Sequence, residues 1–265
     1  MFKYRKFELI VYFLLIALSL LFSVLLLAAG YPGWFLFATA AVILPCAWLS
    51  ARIMRTNRAL ALPEKYLAAG DYENLDKFAL KAGEKFPFVK VYRIDSLLER
   101  GDAEGFLREY AAFYKKGALE KDWRFRLEAY KVFCDALCGA EIGLKTVRRM
   151  ESEISADEVS RERCIVKVFD YLSKKDFDRA ARQIGWYEQA GEKNRFLEFM
   201  YEYARCMAEL AANGSAEESE KILLSAAYND FLKTAAAGWK ETAVRLIGSL
   251  PEKREEPPEN GGENA

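Results

Sequence analysis

Two long apolar runs open the chain, residues 9–29 and residues 34–54. The first carries no charge, and the second carries one charge near its end. Because an α-helix rises about 1.5 Å per residue, each run is long enough to cross the hydrocarbon core of a bilayer. The Pro32-Gly33 pair between them suits the centre of a type II turn. The pattern therefore predicts a transmembrane helical hairpin over residues 1–55, with the two runs as its spans.

Positive charges flank this hairpin on both sides and are missing from the turn. They are Lys3, Arg5 and Lys6 before the first run, and Arg52, Arg55 and Arg58 at the end of the second. The positive-inside rule then places both termini in the cytoplasm, and predicts a cell-membrane protein with two spans. A cleavable signal peptide is the alternative for the first run. The length of that run and the second run that follows it at once disfavour this alternative.

Beyond residue 58 the apolar positions follow helical spacing. Asp71 precedes one continuous apolar stripe, which consists of Leu75, Phe78, Ala79, Ala82 and Phe86. Asp102 and Asp176 precede similar stripes, so all three aspartates are placed to cap the helices that follow them. Strand-like alternation is absent from this part of the sequence. The pattern predicts an all-α fold.

The turns between these helices recur. The segment Leu67-Ala-Ala-Gly-Asp-Tyr is echoed by Leu98-Glu-Arg-Gly-Asp-Ala and by Leu172-Ser-Lys-Lys-Asp-Phe. One residue of each turn serves as its anchor position, and these are residues 70, 101, 139, 175 and 214. Successive anchor positions are 31, 38, 36 and 39 residues apart. A period of this length is typical of stacked helix–turn–helix units.

The period divides the remainder of the chain into hairpins, a cap and a tail. Five hairpins are predicted at about 59–87, 88–117, 119–154, 156–191 and 192–228, within a repeat domain of residues 59–250. A shorter helix pair at 229–238 and 240–250 is expected to cover the end of the stack. The charged, Pro- and Gly-rich residues 251–265 are predicted to be a disordered tail.

Two of these units resemble the tetratricopeptide repeat. Residues 66–87 contain a Gly-Asp-Tyr turn, an apolar second helix and a closing Pro87, and residues 175–191 resemble the second half of such a repeat. The sequence departs from that family's pattern at Leu75, where a small residue is usual, and most units lack the closing proline. The resemblance implies an α-solenoid of about five helical hairpins with a concave groove. By the repeat alignment, groove-facing, protein-binding positions include Asp95, Arg126, Phe169, Tyr201 and Arg205.

Composition removes several classes of function. Lys plus Arg and Asp plus Glu number 39 each, so no overall charge points to nucleic acid. The chain has no histidine, which excludes Ser-His-Asp and Cys-His catalysis and every zinc site that contains histidine. No Gly-rich phosphate loop, nucleophile elbow or Cys-x-x-Cys motif occurs. The sequence therefore predicts no enzyme, no cofactor, no metal and no small-molecule substrate.

The five cysteines are odd in number and fall within predicted helices. This pattern favours buried free thiols over a disulfide framework. Cys134 and Cys138 share one helical face, and a metal site is the alternative interpretation of that pair. Two thiols without a second pair at ligand spacing are a weak zinc signal, so core packing is the prediction.

These observations lead to three functional hypotheses. The first is a membrane-anchored cytoplasmic scaffold or adaptor, which holds a protein partner on its repeat surface beside the lipid bilayer. The second is an accessory subunit of a multi-protein membrane transport or envelope-assembly complex, in which the hairpin packs on other spans. The third is an enzyme with an unrecognised carboxylate or lysine site, which a deep pocket with perturbed acids would support.

Overall fold

A computed structural model describes residues 2–114, 121–152, 160–187, 195–225 and 229–248. These residues form thirteen α-helices and no strand, so the predicted all-α class is confirmed for the described part of the chain. The predicted tail, residues 251–265, lies outside the described residues.

The helices follow one another with short connections. The first seven are α1 Phe2–Ala28, α2 Pro32–Ala69, α3 Tyr72–Ala82, α4 Pro87–Glu99, α5 Ala103–Tyr114, α6 Lys121–Leu137 and α7 Leu144–Glu151. The other six are α8 Arg161–Ser173, α9 Phe177–Ile184, α10 Arg195–Asn213, α11 Glu217–Ser225, α12 Asp230–Ala237 and α13 Trp239–Ile247.

The chain divides into two compact units, an N-terminal unit Met1–Leu62 and a C-terminal unit Pro63–Ala265. Large apolar side chains of the N-terminal unit are widely exposed. They include Leu21, Leu25, Trp34 and Trp48, each with more than half of its surface accessible.

The predicted membrane location is wrong. Among the residues that the structure describes, no helix is long and apolar enough to cross a membrane. Two spans with both termini in the cytoplasm are therefore not supported. Neither helix coincides with its apolar run, since α1 begins at Phe2 and takes in Lys3, Arg5 and Lys6, and α2 continues past Met54 to Ala69.

In the C-terminal unit the helices fall in pairs within the five predicted hairpin ranges. The end of α2 meets α3 through the rings of Tyr66 and Phe78, 6.4 Å apart. The later pairs are α4 with α5, α6 with α7, α8 with α9, and α10 with α11. Consecutive pairs stack through their first helices, because α4 contacts α6, α6 contacts α8, and α8 contacts α10. The arrangement is that of an α-solenoid.

The backbone explains why the turns repeat. All five anchor positions of the sequence period, residues 70, 101, 139, 175 and 214, have positive φ. Four of them are glycines, which adopt this left-handed conformation without steric cost, and Lys175 adopts it at φ 59°. The predicted caps are confirmed too, because the side chains of Asp71, Asp102 and Asp176 accept hydrogen bonds from backbone N–H groups three residues later.

Aromatic side chains of the first helices form the core. Tyr130 and Phe133 of α6 meet Phe196 of α10, with ring centroids 5.3 and 6.4 Å apart. Phe169 of α8 stands edge-on to Phe133 at 6.3 Å. Large rings fill the space between stacked hairpins and bury much apolar area, so the core follows the line of the first helices.

The last two helices do more than cover the end of the stack. Helix α13 contacts α6 and α8 as well as α10. Its Thr242 accepts a hydrogen bond from Tyr203 at 2.9 Å and donates to the carbonyl of Ala136 at 3.2 Å. Asn229, which caps α12, donates to the carbonyl of Glu99 at 2.6 Å. Helix α10 also contacts α4, so α10 and α13 join hairpins that are not consecutive in the chain.

Candidate functional site

A buried ion cluster links three consecutive first helices. The Nε of Arg126 on α6 donates to Asp95 Oδ2 on α4 at 2.7 Å, and lies 3.6 Å from Glu162 Oε1 on α8. The guanidinium also lies over the rings of Tyr92 and Tyr130, at 4.6 and 5.5 Å from their centroids. Paired charges and aromatic faces together satisfy a cation that is removed from water.

The ion pairs between first helices join residues that are 31 to 37 positions apart. Asp95 and Arg126 are 31 residues apart, and Arg126 and Glu162 are 36 apart. Arg161 and Glu198, which form an ion pair at 2.6 Å between α8 and α10, are 37 apart. Of these three spacings only the 36 residues between Arg126 and Glu162 equal the interval between the turns of the two hairpins concerned, at positions 139 and 175.

Burial alters the acid–base behaviour of two carboxyl groups on α4. Burial raises the pKa of Asp95 to about 7, although Arg126 opposes the shift. Burial likewise raises the pKa of Glu99, one turn later, to about 7, opposed by hydrogen bonds from Tyr72 and from the backbone N–H of Phe196. Asp95 Oδ1 and Glu99 Oε1 are buried and find no hydrogen-bond donor among the described residues. The two groups can thus hold protons near neutral pH.

A second cluster lies on α10. Arg205 donates to Glu209 at 2.6 Å and lies 3.7 Å from Glu202, both on its own helix. These side chains belong to a partly exposed stripe that also includes Arg195 and Glu198, whereas the residues between them are buried. Tyr201 is buried and stacks on Tyr187 with ring centroids 4.1 Å apart, and Arg161 lies over Tyr187 at 4.3 Å.

The five predicted groove residues thus have different surroundings. Asp95 and Arg126 are in direct contact, Phe169 belongs to the core, Tyr201 is covered by Tyr187, and Arg205 reaches solvent. A role in protein binding stays a prediction for all five. Glu162 was missed, although its distance of 36 residues from Arg126 equals one of the repeat intervals.

A surface cleft of about 570 Å³ lies where α6, α7, α8 and α13 approach one another. The loop from Gly139 to Gly143 forms one side, and Arg148, Ser173 and Arg245 lie around it. Arg148 is ion-paired with Asp170, and Arg245 donates to the carbonyl of Ala140 at 3.2 Å. The cleft is therefore bordered by guanidinium groups that the protein itself holds in place.

Of the two thiols next to this cleft, only one lies in the core. Cys134 is buried, as predicted, but Cys138 is exposed because it follows the last residue of α6. Within the described ranges no three His, Cys, Asp or Glu side chains are grouped as metal ligands.

No family model, curated protein or solved structure matches this chain.

Proposed function

We propose that the protein is a non-enzymatic scaffold that binds a protein partner on its C-terminal unit, a tetratricopeptide-like α-solenoid. The paired helices, the positive-φ turns at all five anchor positions and the contact between Arg126 and Glu162, 36 residues apart, support a repeat origin. Such solenoids present long, modular surfaces to other proteins.

The observation that carries this proposal is the charged stripe of α10. Among the described residues of this 19-residue helix, twelve are buried, so its backbone is held firmly by its neighbours. The partly exposed stripe presents carboxylates from Glu198, Glu202 and Glu209 together with the guanidinium of Arg205. A rigid row of charges costs little ordering entropy on binding, and it selects a partner of complementary charge. The expected partner segment carries an acidic group opposite Arg205 and basic groups beside it.

Charge reversal at Arg205 in the full-length chain tests this surface. Arg205 pairs with Glu202 and Glu209 of its own helix, so Arg205→Glu puts three carboxylates together and should lower the free energy of unfolding by about 1 kcal/mol, which the fold tolerates. We expect crosslinking capture of the partner to fall about tenfold, because one well-placed charge is worth at least 1.4 kcal/mol at an interface. Arg182→Glu on α9, an exposed arginine that donates to a carbonyl of its own helix, is the matched control.

The readout is the difference between the two variants in quantitative mass spectrometry of captured proteins. A protein that is captured by the wild type and the Arg182→Glu variant, and lost with Arg205→Glu, supports the proposal. Equal capture by all three chains would show that the α10 stripe is not the binding surface. Thermal unfolding of each variant, run in parallel, separates a lost contact from a lost fold.

A second candidate function is that of an accessory subunit that joins a larger protein complex through α1 and α2. The observation in its favour is the exposure of Leu21 and Leu25, at 60% and 58%, one turn apart on α1. Exposed apolar patches of this kind mark interaction sites. Replacing both leucines by glutamine should abolish capture while Arg205→Glu leaves it intact. If the double change alters only retention by lipid vesicles, the protein-complex hypothesis is wrong.

A further inference from the structure

Two thiols lie side by side where α6 ends. Cys134 Sγ and Cys138 Sγ are 3.8 Å apart, and the backbone N–H of Cys138 donates to the carbonyl of Cys134 at 2.9 Å. Cys134 is buried, whereas Cys138 is exposed. Gly139 follows at φ 75°, which begins the loop along the cleft. The exposed thiol of Cys138, just after the end of α6, thus lies next to the buried thiol of Cys134 in the last turn of the helix.

We propose that Cys134 and Cys138 form a peroxide-sensitive thiol pair, in which Cys138 is oxidised first and Cys134 then closes a disulfide. A redox-sensing cysteine needs access to the oxidant and a neighbouring thiol that resolves the first product. Exposure of Cys138 supplies the access, and the sulfur of Cys134 supplies the neighbour.

The electrostatic surroundings distinguish the two roles. A hydrogen bond from the Cys134 thiol lowers the pKa of Cys138 to about 7, against the opposing effects of burial and of Asp135. The same interaction, with burial, raises the pKa of Cys134. Burial also raises the pKa of Cys164, and it raises that of Cys206 to about 11. Since the thiolate is the nucleophile, Cys138 is the most reactive of these four thiols.

The chemistry balances with a hydroperoxide as the oxidant. The Cys138 thiolate attacks one peroxide oxygen, so that an S–O bond forms, the O–O bond breaks and hydroxide leaves. The sulfur of Cys134 then attacks the sulfenic sulfur of Cys138, so that the S–S bond forms and the S–O bond breaks. The departing hydroxide takes the proton of Cys134 and leaves as water. The hydroxide from the first step takes up the proton that Cys138 released on ionising, so two thiols lose two electrons in total and hydrogen peroxide is reduced to two waters.

Disulfide formation must change the end of α6. Side chains four residues apart on a helix have Cβ atoms about 5–6 Å apart, whereas a disulfide needs about 3.8 Å. The final turn therefore tightens, and Gly139 transmits the change to the loop that lines the cleft. The carbonyls of Ala136 and Ala140 in this segment accept hydrogen bonds from α13. Oxidation thus acts on both the cleft and the attachment of α13.

Titration of the full-length chain with hydrogen peroxide, followed by peptide mass spectrometry, tests the pair. Peptide 132–145, which trypsin releases, contains both thiols and no other cysteine. We expect the mass of this peptide to fall by that of two hydrogen atoms before Cys164 or Cys206 reacts. Reduction with dithiothreitol should restore the original mass. Alkylation of the reduced protein should be more than about tenfold faster at Cys138 than at Cys206, because the much larger thiolate fraction of Cys138 outweighs the lower nucleophilicity of a less basic thiolate.

Single substitutions separate the two roles. Cys134→Ser should stop the reaction at a sulfenic acid on Cys138 that dimedone traps, and Cys138→Ser should leave Cys134 reduced. Cys164→Ser is the matched control and should oxidise as the wild type does. Oxidation of Cys138 no faster than that of Cys164 and Cys206 would overturn the proposal, as would a disulfide to any other cysteine. The wild-type peptide measurement decides the question even if Cys134→Ser fails to fold.

Discussion

The first and second helices of each hairpin in the C-terminal unit contribute very differently to the fold. The described residues of α6 include eleven buried side chains out of 17, among them the charged Glu128 and Asp135. By contrast, α9 buries only Ala180, and α5 buries only Gly105 and Phe106. First helices are surrounded by other helices, whereas second helices cover one side of them. Substitutions should therefore have unequal effects on the two classes.

The largest effect is expected in the aromatic core of the first helices. Phe169→Ala removes a fully buried ring that contacts Phe133, and should lower the free energy of unfolding by about 3–5 kcal/mol. Leu80→Ala on α3, where the side chain is 72% exposed, should change it by less than about 0.5 kcal/mol. Urea unfolding followed by tryptophan fluorescence, to which the buried Trp123 and Trp239 contribute, measures both. If both variants lost a similar free energy of unfolding, the first and second helices would not differ in their contribution to stability.

A smaller loss of stability is expected when ion pairs are broken, and it should again depend on burial. Arg126→Met leaves Asp95 and Glu162 without their shared cation in a buried site, and should cost about 3 kcal/mol. Arg100→Met breaks a more exposed pair with Asp76, and should cost no more than about 1 kcal/mol. The pairs differ mainly in solvent access, so equal costs would mean that burial does not set the strength of the inner cluster.

The third test is a pH dependence that arises from α4 and develops gradually, one pH unit at a time. The pKa values of Asp95 and Glu99 are raised to about 7 in the folded protein. The folded state therefore binds more protons than the unfolded state between about pH 4 and 7. Their contribution to stability is complete below about pH 4 and is lost as the pH rises through 7. Each group lowers the free energy of unfolding by up to about 1.4 kcal/mol per pH unit in this range.

Urea unfolding at several pH values between about 5 and 8 measures this slope. Asp95→Asn and Glu99→Gln remove one titrating group each, so each should flatten the decline relative to the wild type. A wild-type slope that neither substitution changes would assign the pH dependence to other groups.

The sequence anticipated most of the second helices and turns, because their signals are local. An apolar stripe bordered by polar residues identifies α3, and an aspartate before it fixes where the helix starts. A left-handed turn likewise favours glycine whatever surrounds it. The glycines at positions 70, 101, 139 and 214 therefore identified the turns from the sequence. Cys138 was misjudged as a core residue because helical spacing continued past Leu137, where the helix ends.

The prediction of two membrane spans shows where a local sequence signal misleads. Apolar runs gave a prediction of two spans, yet among the described residues no helix meets the length and apolarity that a span needs. A count of apolar residues does not show where a helix begins and ends, and α2 carries its run on into a charged segment as far as Ala69. Helix boundaries depend on the whole hydrogen-bonded element rather than on the run alone.

What the sequence determined by itself is the helical class, the aspartate caps and the location of the left-handed turns. Backbone sterics and helix periodicity act over a few residues, so they can be recognised without the fold. Only the tertiary structure decided that Asp95, Arg126 and Glu162 form one buried cluster, and that α13 packs against α6, α8 and α10. These contacts join residues far apart in the chain, and they form because stacked helices must satisfy each other's buried charges and cover each other's apolar surface.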